Sequence, residues 1–120
     1  MTIINGASLL VFAITLAVGQ VLFKSVGLSI RGQPFLESLA ILMRLPTLYA
    51  ALTLYGLATF LWIWILSRIP LAQAYPWMAV TIVLVPLLGW RIFGEAVGPL
   101  FWLGMGLVVV GVMLTQYASS

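Results

Sequence analysis

Four apolar stretches, each about as long as a bilayer is thick, fill almost the whole of this 120-residue chain. About 20 helical residues at ~1.5 Å rise cross a ~30 Å hydrocarbon core. Spans are expected over about 7–24, 48–66, 71–92 and 100–117. In hydrocarbon a segment must satisfy its own backbone, so each apolar stretch reads as a helix. The fold class is all-α, a bundle of four transmembrane helices in one integral membrane domain over 1–120.

Hydrophobic residues make up 64% of the chain and charged ones 6%, too few to coat a water-soluble domain of this size. With no Cys and no His, thiolate chemistry, haem, iron–sulfur clusters and the usual zinc sites are excluded. No cofactor and no metal site is expected. The five basic residues are scattered through connections, which speaks for topology and against a nucleic-acid surface. The first span lacks a basic leader and a cleavage site, so it is expected to remain as a membrane helix.

The connection Ser67-Arg68-Ile69-Pro70 allows only an antiparallel hairpin. Pro99 suits the first turn of the last helix, where a missing N–H costs nothing. Pro76 and Pro86 fall within the third span and are expected to bend it, either for shape or as a moving part. The long first connection contains a segment, 34–44, with apolar residues at 35, 36, 39, 42 and 43 and polar Glu37 and Arg44. It reads as a short amphipathic helix at the membrane surface, between spans one and two. Lys24, Arg31, Arg44 and Arg91 fall on one side of the membrane and Arg68 on the other. By the positive-inside rule both termini face away from the cytoplasm. Trp62, Trp64, Trp90, Trp102 and Tyr117 near the span ends fit an interfacial belt.

Few polar residues remain to carry chemistry. Lys24 follows Gln20 by four, so the two share a helix face. Lys24 either snorkels from a helix end or stands as a cation at a cavity mouth, facing an anionic headgroup. Gln20 either bonds across helices or lines a polar cavity. Glu95 lies four residues after Arg91 and would pair with it if the helix persisted, or else cap a helix or meet substrate. Tyr75 and Trp77, at the start of the third span, combine apolar bodies with polar tips and suit either a groove wall or an interface. Gly104 and Gly111 on the last span share a face and point to close helix packing or dimerisation.

Together these segments resemble the drug/metabolite transporter superfamily (EamA-like) in its smallest, four-helix form, the small multidrug resistance type. The resemblance rests on Gly19-Gln20-Val21-Leu22-Phe23-Lys24, on Ile69-Pro70-Leu71-Ala72-Gln73-Ala74-Tyr75-Pro76, on Phe93-Gly94-Glu95 and on Gly104-Met105-Gly106 with Gly111. It covers nearly the whole chain. The multidrug exporters of that type carry an essential glutamate eight residues before the lysine. Leu16 stands there in this chain, so their drug/proton exchange does not carry over.

The pattern is more similar to the subunits that flip aminoarabinose-phosphoundecaprenol across the inner membrane of Gram-negative bacteria. Those share the Gly-Gln-x-x-x-Lys of Gly19, Gln20 and Lys24, the Ala-Tyr-Pro of 74–76, and a glutamate matching Glu95. The first connection, with its amphipathic segment, is longer than in those subunits and leaves the sugar open. The resemblance implies a bacterial inner-membrane flippase or flippase subunit for a polyprenyl-phosphate-linked sugar. With no His or Cys and no pair of acids close in sequence, catalysis by the chain itself is not expected. Lys24 would hold the phosphate and Gln20 would offer an amide. Tyr75, Trp77 and Tyr55 would line the groove, Arg44 would receive the headgroup, and Glu95 would contact substrate. Four helices make a thin wall, so a homodimer or a heterodimer with a related four-helix subunit is expected. The alternatives are a small-solute or drug exporter and a non-transporting subunit of a membrane glycosyltransferase.

Overall fold

The computed structural model describes residues 3–119. Its elements are helices α1 (Ile3–Ser29), α2 (Phe35–Arg44), α3 (Pro46–Leu66), α4 (Leu71–Ala74), a 3-10 turn (Tyr75–Trp77), α5 (Met78–Phe93) and α6 (Pro99–Ser119). Helix α4, the turn and α5 form one continuous span, Leu71–Phe93, so four stretches are long and apolar enough to cross a bilayer. The chain is a four-helix, multi-pass membrane protein.

Proline and glycine set the boundaries. Pro46 and Pro99 open α3 and α6, where their fixed φ and absent N–H are harmless. Gly94, at φ 67°, closes α5 in a left-handed conformation that residues with a Cβ adopt at a cost. Pro76 lies in the 3-10 turn that interrupts the third span, whereas Pro86 is carried inside α5. Hydroxyls that would otherwise stand bare in hydrocarbon bond back to their own helix: Ser8 to the Ile4 carbonyl, Thr15 to that of Val11, Thr59 to that of Tyr55.

Helix α1 is the centre of the molecule, with α3 and α5 packed along it and α6 lying outside, against the third span. Small side chains let the backbones approach: Ala13 and Ala17 on α1 and Ala51 and Ala58 on α3 are all buried. Around them Leu9, Phe12, Ala58, Ile65, Ile69 and Ala74 make a core, and the Phe12 ring stacks on Trp62 at 4.8 Å between centroids. The helices are apolar almost all round, with Leu10, Ile14, Leu57, Phe60 and Leu107 facing outward as lipid-contacting side chains do.

One boundary differs from the sequence expectation in a useful way. Helix α1 does not stop at Lys24 but continues to Ser29, which leaves Lys24 inside the helix, more than one turn from its end. The backbone has no reason to break at a lysine, a good helix former. Segment 35–44 is helical as the periodicity required, with Phe35, Leu36 and Met43 exposed. The Tyr49 hydroxyl of α3 donates to the Met43 carbonyl at 2.7 Å and ties the end of α2 to the next span.

Candidate functional site

Polar side chains gather where α1 passes the C-terminal end of α5. The Lys24 Nζ lies 3.2 Å from the Glu95 Oε2, and the two side chains are 45% and 49% exposed, open enough to exchange partners with a ligand. The pairing depends on how α5 ends. The N–H groups of Gly94 and Glu95 both donate to the Gly89 carbonyl, which folds the chain back over the last turn. The Glu95 carboxylate then rests against Gly89, where a Cβ would collide with its Oε1. Two glycines and a turn thus aim one carboxylate across to α1.

The expected pairing of Glu95 with Arg91 is not formed. The helix ends at Phe93, so the i,i+4 relation is lost, and the Arg91 guanidinium lies instead 5.7 Å from the centre of the Trp90 ring.

One turn before Lys24, the Gln20 Nε2 donates to the Tyr55 hydroxyl at 2.7 Å, and that hydroxyl donates to the Leu16 carbonyl at 3.3 Å. The Tyr55 ring packs against Gly19, where any Cβ would overlap it, and tilts onto Phe23 at 5.0 Å between centroids. Gln20 is therefore held across the α1–α3 interface while its surface stays open on the α5 side.

Two cavities meet at Gln20 and Val85. The first, of about 350 Å³, is lined by Gln20, Phe23, Lys24, Gly89, Phe93 and Glu95 among others. The second, of about 450 Å³, is lined by Gln20, Tyr75, Met78, Thr81, Val85 and Pro86 among others. They form one groove between α1 and the third span, from the aromatic start of that span at Tyr75 to the ion pair at its far end. The Thr81 hydroxyl crosses the groove floor to donate to the Ala13 carbonyl at 3.1 Å. A charged group at one end, an amide in the middle and apolar walls match a ligand with a polar head and a hydrocarbon tail.

Of the residues singled out from sequence, Gln20, Lys24, Glu95 and Tyr75 line this groove, and Tyr55 supports it through Gln20. Trp77 lies elsewhere. Two residues after Tyr75 in a helical turn, it points to another face: its Nε1 donates to the Gln116 Oε1 at 3.0 Å, in an apolar cleft against α6. The Gln116 Nε2 in turn donates to the Gln73 carbonyl at 3.0 Å, so this cluster joins α6 to the third span. Arg44 sits exposed at the end of α2 and lines none of these cavities. Sequence reasoning missed Thr81, Val85 and Gly89. A threonine and a glycine in an apolar helix are weak signals, and only the α1–α5 crossing gives them a place.

A groove with an ion pair at one end and an amide in its middle can be set beside known proteins. A "Probable 4-amino-4-deoxy-L-arabinose-phosphoundecaprenol flippase subunit ArnE" of Aeromonas hydrophila is 41% identical to this chain over 73 residues, 60% of this chain and 63% of that protein. The proteins of the same name in Klebsiella pneumoniae and Salmonella paratyphi B are 42% identical over 64 residues and 38% over 69. They span 53% and 58% of this chain and 57% and 62% of those proteins. These three relatives are named as flippase subunits.

The chain thus spans about three fifths of the length of those curated relatives. No family model and no solved structure matches it. At the position where multidrug exporters of the four-helix type carry a glutamate, Leu16 packs against the hydrophobic core, leaving Glu95 as the acidic residue lining the groove.

Proposed function

We propose that this chain is a subunit of a flippase that carries a polyprenyl-phosphate-linked sugar across the bacterial inner membrane. The observation that carries the reading is the groove itself: Lys24, Gln20 and Glu95 line a cavity whose other walls are Val21, Phe23, Val85, Gly89 and Phe93. A phosphate moved bare through hydrocarbon pays most of its hydration free energy, so a cation and hydrogen-bonding groups must replace water along the path. Lys24 holds the phosphate and Gln20, fixed by Tyr55, offers its amide. Tyr75 walls the far end of the groove, and the polyprenyl tail stays in lipid. The chain acts by binding and passage and carries out no bond chemistry. The similarity to proteins named as aminoarabinose-phosphoundecaprenol flippase subunits supports the same class of substrate.

One chain does not enclose this groove. Helix α1 begins and α6 ends on the side opposite the Lys24–Glu95 end, and the charge bias favours a cytoplasmic face for that end. Helix α2 lies on the membrane surface there, its Arg44 meeting headgroups. Helix α6 exposes Leu100, Leu103, Leu107, Val110 and Leu114 in a 3-4 spaced row, with Gly104 and Gly111 beside it. A second four-helix chain, a copy or a related subunit, packs on that row.

The test is translocation of a short-chain glycosyl polyprenyl phosphate in proteoliposomes, with mass spectrometry of the lipids that co-purify with the chain. Wild type retains a polyprenyl phosphate or its glycosylated form, and Lys24→Ala loses both the lipid and translocation. Bulk phospholipid alone in both samples, with no translocation by either, would set the reading aside.

A further inference from the structure

The groove offers a phosphate the Lys24 cation together with a carboxylate, not a cation alone. Lys24 already has a carboxylate at 3.2 Å, so the pair is close to neutral as a unit, with two separated poles facing the same cavity. A ligand carrying only a phosphate must draw Lys24 away from Glu95. It then sits beside a carboxylate left without its cation, and like charges in a partly dry site repel. A ligand carrying a phosphate and an ammonium group gives each pole a new partner and leaves neither charge bare. Exchanging one internal ion pair for two intermolecular ones is the arrangement that favours a dipolar ligand over a simple anion.

The mounting of Glu95 agrees with this. A carboxylate needed only to neutralise a lysine would be served by a residue anywhere within reach. Here the left-handed Gly94, the paired N–H groups on the Gly89 carbonyl and the missing Cβ of Gly89 together hold Glu95 against the helix, on the cavity wall. Arg91, the nearest cation in sequence, is turned onto Trp90.

We infer that the Lys24–Glu95 pair is a zwitterion-recognition site: Lys24 takes the phosphate of a lipid headgroup and Glu95 takes a primary ammonium on the same headgroup. Glu95 thereby sets specificity, admitting an amino sugar phosphate and rejecting the same sugar phosphate with a hydroxyl in place of the amine. The assignment rests on the flippase reading above for its lipid-linked sugar. The shared chemistry, a phosphate with an ammonium, also occurs in phosphoethanolamine lipids.

The test uses the full chain in uncharged maltoside micelles, with binding followed by titration calorimetry. The probes are a short polyprenyl phosphate esterified to an aminopentose, the same ester with a hydroxyl replacing the amine, and a short-chain phosphoethanolamine lipid. Wild type should bind the amino ester about two- to fivefold more tightly than the hydroxyl ester, the scale of one charge-paired contact at a half-exposed site. Glu95→Gln should bring the two esters level. Equal affinity of wild type for both esters overturns zwitterion recognition and leaves the flippase reading standing. A preference that survives Glu95→Gln overturns the role of Glu95. The wild-type comparison needs no variant and decides the matter even if Glu95→Gln does not fold. Binding of the phosphoethanolamine lipid alone, lost in Glu95→Gln, keeps the site but removes the sugar reading. Binding of none of the three removes both.

Discussion

The ring of Tyr55 occupies the space that a side chain at Gly19 would take, so α1 and α3 touch through backbone on one side and an aromatic face on the other. That contact sets the position of the hydroxyl that receives Gln20, at 2.7 Å. Gly19 therefore serves the groove through its neighbour, without lining the groove.

Gly19→Ala should push the Tyr55 ring aside and lower stability by about 1–3 kcal/mol, the usual cost of overpacking a tight contact. Gly27→Ala is the control on the same helix. A Cβ there meets nothing within 4 Å, so the change should be neutral or slightly stabilising. Thermal unfolding of both variants in micelles measures the difference, and equal midpoints would mean that the Gly19–Tyr55 contact is not tight.

Gly89→Ala should behave differently. The atom in the way is the end of a flexible Glu95 side chain, which can swing off at little cost, so stability should change by less than about 0.5 kcal/mol. The carboxylate would leave Lys24, and discrimination between the amino and hydroxyl esters should fall. Because Gly89→Ala and Glu95→Gln act on the same contact, the double variant should lose no more discrimination than Glu95→Gln alone. Additive losses in a double-mutant cycle would separate the two residues.

Lys24→Arg should retain part of the phosphate affinity, since the charge remains, whereas Lys24→Ala should lose it, by tenfold or more on the scale of ~1.4 kcal/mol per decade. The planar guanidinium cannot copy an ammonium's point contact with Glu95, so Lys24→Arg should also blur the preference for the amino ester. Calorimetric titration of both variants tests this. Equal loss in both would point to geometry, not charge.

Trp77→Phe removes the indole N–H from Gln116 and should loosen α6 from the third span, lowering stability by about 1 kcal/mol. Ester binding in the groove should be unaffected, because Trp77 faces the α6 cleft. A matching fall in ester affinity would bring Trp77 back to the groove.

That this is a membrane protein of four helices is written in the sequence. Apolar runs of spanning length leave no other way to satisfy a backbone in lipid, and Pro46, Pro70, Gly94 and Pro99 mark the ends of the spans locally. The i,i+4 relation of Gln20 and Lys24 was equally legible, because it is a property of one helix. Neighbours along a helix can be read in this way; neighbours across helices cannot. In an almost uniformly apolar chain the faces carry little contrast, so periodicity does not say which side of α1 meets α5. It takes the folded chain to show that Glu95 turns from Arg91 to Lys24, that Trp77 joins α6 and not the groove, and that Gly19 and Gly89 each make room for a side chain from elsewhere. Those pairings follow from where α1, α3 and α5 cross, and the crossing is set by small side chains whose role appears only once two backbones are close.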